Sequence, residues 1–92
     1  LAEETFNPNA YIPSMKNMKS GLKARTLILN SLTKSPLQLK DLRLKTGLTS
    51  SSINYHLKIL EKHRLIRKKH VSKRKVVVEQ TGLGQKLIKN FT

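Results

Sequence analysis

Cysteine is absent from this 92-residue chain, which excludes a disulfide framework, a thiolate nucleophile and a cysteine-containing zinc site. A reducing compartment suits such a composition. Acidic residues are nearly as scarce: Glu3, Glu4, Asp41, Glu61 and Glu79 are the five, and they lie scattered over an N-terminal segment, two helical stretches and a hairpin, with no close pair suited to acid–base chemistry. An enzyme is therefore not expected. Long apolar runs are missing as well. None exceeds three residues, as at Leu27-Ile28-Leu29 and Val76-Val77-Val78, against the roughly 20 of a membrane span. A soluble protein is expected, cytoplasmic and with no membrane partner. At 10.5 kDa the chain has room for one compact domain.

What the sequence has in excess is positive charge. Nineteen Lys+Arg against five acids give a formal charge of +14 and a pI near 10.6. Such a chain repels itself unless a polyanion is present, so nucleic acid is the leading partner.

The segment 1–13, with Pro8, Pro13, Phe6, Tyr11 and Ile12, shows no sustained periodicity and reads as an N-terminal arm ahead of a domain over 14–92. Met15, Met18, Leu22, Leu29 and Leu32 then recur near whole helical turns, which predicts a helix from about Ser14 to Thr33. Ser20 before Gly21 offers an alternative start, because its hydroxyl can cap a separate helix. After the break at Lys34-Ser35-Pro36, Leu39 to Thr46 reads as a short helix ended by Gly47. Thr49 is a plausible N-cap for the next helix, with Leu48 placed to staple against Ile53. Ile53, Leu57 and Leu60 form one apolar stripe there, and Ser51, Asn54, Tyr55 and Lys58 fall away from it. Leu65-Ile66-Arg67 opens a strand, His70 to Arg74 makes a polar, basic tip, and Lys75 to Gln80 carries the β-branched run of a second strand. Thr81 can cap a last helix bearing Leu83, Leu87, Ile88 and Phe91.

The order helix, short helix, tight turn, helix, hairpin, helix resembles the winged helix-turn-helix fold, a mainly α, α+β architecture with a small β-hairpin. Leu39-Lys40-Asp41-Leu42 through Ile66 carry the likeness most closely. Thr46-Gly47-Leu48-Thr49 is similar to the turn, and Asn54-Tyr55-His56-Leu57-Lys58-Ile59-Leu60 to the recognition helix, of ArsR- and MarR-like DNA-binding regulators. The resemblance covers about residues 20–91. It implies a recognition helix, about 50–62, in the major groove of double-stranded DNA, and a wing, about 67–78, on the backbone or minor groove. Ser50, Ser51 and Ser52 are small enough for close approach. Asn54 can read adenine bidentately, Tyr55 can bond phosphate or cover a thymine methyl, and Lys58 can meet phosphate or guanine. Between Arg64 and Lys75 seven fixed cations stand within twelve residues, among them Arg67, Lys69, Lys73, Arg74 and Lys75. Like charges across a hairpin destabilise it, so phosphate neutralisation explains their concentration. Arg25, Lys40, Arg43 and Lys45 offer a weaker extension of that track. The family pattern has glycine just after the recognition helix where this chain has Arg64, which costs about 1 kcal/mol if its φ is positive.

His56, His63 and His70 recur every seven residues but do not share one regular helical face, and the cysteine box of metal-sensing relatives is missing, so no metal site is expected. Thr81-Gly82-Leu83-Gly84 lacks the Walker ending and the third Rossmann glycine, and no cofactor or small-molecule ligand is evident. Apolar residues at both ends, Met15 and Met18 before the motif and Leu87 and Phe91 after it, suggest a homodimer built on flanking dimerisation helices; the alternative is an arm folded over its own C-terminal helix. The expected function is a sequence-specific, nucleoid-associated transcriptional regulator, with a DNA-organising or plasmid-partition protein as the alternative.

Overall fold

In the computed structural model, which describes residues 6–81, the first helix begins later than the apolar spacing predicts. α1 runs Lys19–Ser31, and Asn17 explains the missing turn. Its Oδ1 accepts the Ile12 N–H at 2.9 Å, and its Nδ2 donates to the carbonyls of Ile12 at 2.7 Å and Met15 at 2.9 Å. A side chain that satisfies the backbone in this way competes with helix formation, so residues 13–17 fold as a strap. Met18 stands extended at the N-cap, with no side-chain capping bond.

The residues before the strap are held by their own chain. Asn7 caps a 3₁₀ turn, Pro8–Ala10, by accepting the Asn9 N–H. Its backbone N–H donates to Thr26 Oγ1, and its Nδ2 donates to Asn30 Oδ1, each at 2.9 Å. Ala10 and Ile12 are 0% and 1% exposed. The arm is thus part of the domain from residue 6 onward, packed on α1 rather than standing apart as an N-terminal extension.

α2, Leu39–Thr46, ends at Gly47, whose φ of 73° is the left-handed conformation that closes a helix; its N–H donates to the Arg43 carbonyl at 2.9 Å. Thr46 Oγ1 donates to the Leu42 carbonyl and accepts the Leu48 N–H, tying the turn to the helix it leaves. Thr49 then caps α3, Ser50–Lys62, by accepting the Ser52 N–H at 3.2 Å. The helix-turn-helix is therefore set locally, by one glycine and two threonine hydroxyls.

The hairpin follows with β1, Ile66–Ser72, antiparallel to β2, Lys75–Gln80. Neither Lys73 nor Arg74 at its turn has positive φ, and a bulge at Val71 interrupts the register between His70 and Ser72. A bulge adds the local twist that a two-residue turn without left-handed residues does not supply. Leu37 adds a single-residue bridge to the sheet: its N–H donates to the Val78 carbonyl at 3.0 Å, and the Val78 N–H donates to its carbonyl at 2.7 Å. Gln80 Nε2 donates to the Leu29 carbonyl at 2.6 Å, and Thr81 Oγ1 to the Arg64 carbonyl at 2.6 Å. These bonds fix the hairpin's base to the helices.

One core joins all of this. Ile28, Leu29 and Leu32 of α1, Leu42 of α2, Ile53, Leu57 and Leu60 of α3, and Leu65, Ile66 and Val78 at the hairpin's base are buried together with Ala10 and Ile12. The last helix expected from Thr81, with Leu83, Leu87, Ile88 and Phe91, lies outside the described residues.

Candidate nucleic-acid interface

α3 buries Ile53, His56, Leu57 and Leu60, which leaves one stripe at helical spacing facing outward. Ser51, Asn54, Tyr55 and Lys58 are exposed, while Ser50 and Ser52 are half-buried beside them at the helix start. Tyr55 is 57% exposed.

Register and alternation sort the hairpin into two faces. Ile66, Lys68 and His70 share the face of Val76, Val78 and Gln80, toward the helices. Arg67 and Lys69 share the other with Val77 and Glu79. Lys68 and His70 therefore look across a groove of about 340 Å³ at Asn54 and Leu57 of α3. Lys73 and Arg74 form the exposed tip and Lys75 follows at the start of β2. Arg67 is committed elsewhere in part: its Nε donates to Glu79 Oε1 at 2.6 Å, across the strand pair. At 68% exposure of the arginine such a pair contributes at most about 1 kcal/mol.

Arg74 also lines a groove with Gln38, Lys40 and Arg43 from the start of α2. Three cations thus gather from the wing tip and the first helix of the motif. The sequence marks Lys68 only as one of seven hairpin cations and His70 only as part of the basic tip, and it offers Lys40 and Arg43 as a weaker extension of the phosphate track. The strand alternation marks Lys68 and His70 as sharing a face, but which face meets α3 depends on the docking of the hairpin by Leu37 and Gln80.

Arg25 departs from its expected place on a phosphate track, because it is 1% exposed. Its Nε donates to the Ala10 carbonyl at 2.6 Å, its Nη2 to Asn17 Oδ1 at 2.9 Å, and its Nη1 meets His56 Nδ1 at 3.3 Å. Gly21, one turn before it, makes this possible, since a Cβ there would stand 3.0 Å from the guanidinium. A guanidinium only donates, so His56 Nδ1 accepts and the imidazole carries its proton on Nε2. Burial pushes the His56 pKa below its usual 6.5, and the adjacent Arg25 charge lowers it further. Burial likewise lowers Arg25, with Tyr55 opposing in part. The guanidinium thereby links the arm, the strap and the underside of α3.

The other two histidines point elsewhere. His63 closes α3 and meets Ser14 Oγ through Nε2 at 3.3 Å, while His70 faces the wing groove. Of the apolar residues assigned to a dimer interface, Met15 packs against the chain's own core and Met18 is 59% exposed. Leu87 and Phe91 lie outside the described residues.

Residues 23–68, half of the chain, match the family model described as bacterial regulatory protein, arsR family. The chain belongs to the ArsR family of bacterial regulatory proteins. The match runs from Lys23, the fifth residue of α1, through the helix-turn-helix to Lys68 in β1. With the three helices and antiparallel hairpin, it identifies a winged helix-turn-helix protein that binds double-stranded DNA and regulates transcription. ArsR-family regulators are in general DNA-binding proteins rather than enzymes. No curated protein matches the chain. No helix among the described residues is long and apolar enough to cross a membrane.

Proposed function

We propose that this ArsR-family protein is a sequence-specific, nucleoid-associated regulator that reads DNA with the free face of α3 and anchors on phosphate through its wing. The observation that carries this reading is the stripe Ser51-Asn54-Tyr55-Lys58, set beside a hairpin whose one carboxylate, Glu79, is paired with Arg67. Asn54 offers a donor and an acceptor to an adenine edge, Lys58 a donor to guanine or phosphate, and Tyr55 a ring for a thymine methyl. Ser50, Ser51 and Ser52 keep the helix start narrow. Arg67, Lys69, Lys73, Arg74 and Lys75 neutralise phosphates, joined by Lys68 and, from α2, Lys40 and Arg43. A homodimer completes the reading, with Met18, Leu87 and Phe91 as its contacts and two α3 helices about 34 Å apart on successive half-sites. The exposure of Met18 and Tyr11 on the arm side supports it.

Selection of bound fragments from random and genomic duplexes, followed by footprinting over a range of protein concentrations, tests the whole. A regulator prefers its site over random duplex by at least about 1000-fold at physiological salt and gives a footprint of fixed length. Asn54→Ala or Tyr55→Ala then relaxes the preference by about 1 to 3 kcal/mol, whereas Lys73→Ala or Arg74→Ala weakens every sequence alike. Unchanged preference in both helix variants would refute the assignment of readout to α3. A footprint that lengthens with concentration would favour the DNA-organising alternative.

A further inference from the structure

The free face of α3 has a second flank, opposite the wing. There a cavity of about 410 Å³ opens between the strap, the first turns of α1 and the N-terminal half of α3. Its polar lining is Lys16, Ser20, Arg25, Ser52, Tyr55 and His56. Three hydroxyls and two fixed cations therefore meet with no carboxylate among the described lining residues. Asp41, Glu61 and Glu79, the described acids, stand in α2, late in α3 and in β2.

The charge beneath this cavity is unusually exposed to it in the electrostatic sense. Arg25 is bonded to a carbonyl, an amide oxygen and an imidazole nitrogen, all neutral. Its hydrogen bonds are satisfied but its unit charge is not cancelled, and in a low-dielectric surround that charge acts at longer range than it would in water. Lys16, exposed on the strap, adds a second charge at the rim. The first turn of α1 holds no acid to offset the helix dipole. The lining suits an anion.

Geometry names the anion. Tyr55 belongs both to the cavity and to the proposed reading face, so whatever fills the cavity lies beside whatever α3 reads. A helix about 10 Å across nearly fills a major groove about 12 Å wide, and that groove is walled by two phosphodiester strands. If the wing side of α3 meets one strand, the other runs along this side. We propose that the cavity seats a phosphate of the duplex strand opposite the wing, held by Lys16 and the hydroxyls of Ser20 and Tyr55, with Arg25 supplying charge from below. This rests on the reading of α3 as the major-groove helix.

Lys16→Ala and Ser20→Ala, both at exposed positions, are compared with wild type in duplex titrations from 0.05 to about 0.3 M salt and in phosphate-ethylation interference, with thermal melts to verify folding. The expected result for Lys16→Ala is a salt slope shallower by about one and affinity about 5- to 10-fold weaker near 0.1 M salt. Sequence preference stays intact, and interference disappears only at phosphates on the side away from the wing. Unchanged slope and interference in both variants overturn the proposal. Should inorganic phosphate alone saturate the site, with Lys16→Ala abolishing that binding while duplex affinity stays the same, the cavity takes a free anion and the proposal is equally overturned. Asn54→Ala and Lys73→Ala run in parallel separate the two levels: if they also change nothing, the reading of α3 and the wing has failed, and if they act while Lys16→Ala does not, only the cavity has.

Discussion

Arg25 and His56 show how one buried charge can organise a small protein. A guanidinium with neutral partners carries a desolvation penalty, yet each of its three bonds satisfies an acceptor on a different piece of chain: Ala10 before α1, Asn17 in the strap and His56 in α3. The histidine must stay neutral to accept from it. Because the folded pKa of His56 lies below the unfolded value of 6.5, the unfolded chain binds a proton in that window which the folded chain does not. Stability therefore rises with pH there, is level above about pH 7.5, and is lost as pH falls through 6.5 toward the folded pKa. Urea midpoints at pH 7.5, 6.5 and 5.5 measure this. His56→Gln keeps an acceptor for Arg25 and removes the titration, so its midpoint is expected to fall less over the same range; an equal fall in both proteins would contradict the assignment. The seven-residue spacing of the histidines carries no hint of this pairing, since Arg25 is 31 residues away.

Among the elements, the end of α3 is the one built against its own backbone preference. Arg64 has φ 62°, the one positive value among described non-glycine residues. Its N–H donates to the Glu61 carbonyl at 3.0 Å and the Leu65 N–H to the Leu60 carbonyl at 2.9 Å. These are the two bonds of a Schellman closure, which needs a left-handed residue where Arg64 stands. Arg64→Gly is thus expected to raise stability by about 1 kcal/mol, a Tm increase of several degrees that calorimetry reads directly. If the arginine is retained for a phosphate, the same variant binds duplex more weakly while melting higher; no gain in Tm would show that the turn carries no strain. The sequence made this position conspicuous through the missing glycine. It also placed α2, the turn, α3, β2 and the opening of β1, because caps, a left-handed glycine and apolar periodicity are short-range signals, whereas His70 to Ser72, expected in the tip, extend β1 and leave Lys73 and Arg74 as the turn. It left the start of α1 open between about Ser14 and Ser20, and the structure falls near the later one, at Lys19 with Met18 rather than Ser20 at the N-cap, because the Asn17 side chain replaces a helical turn; it did not reveal the Leu37 bridge, where a single residue has no periodicity to detect.

For the molecule as a whole, the arm decides how large the domain is. Ile12 is 1% exposed within the same core as Ile28, Leu57 and Leu60. Ile12→Ala is expected to cost about 2 to 5 kcal/mol in urea unfolding, as for other buried isoleucines, whereas Tyr11→Ala on the exposed neighbour stays within roughly 0.5 kcal/mol. A small loss at Ile12 would mean that the arm contributes little to the core. The cis packing of residues 6–17 also bears on assembly, because it takes Met15 into the chain's own core and leaves Met18 outside.

The charge, the helix-turn-helix and the free stripe of α3 were legible from the order of residues, since each follows from composition or from contacts within a few residues. That Arg25 is buried rather than on the surface, that Lys68 and His70 confront Asn54, and that the arm belongs to the core became visible in the assembled fold alone. Those outcomes depend on how separate elements dock, and docking is set by buried area and by long-range bonds that no local pattern encodes.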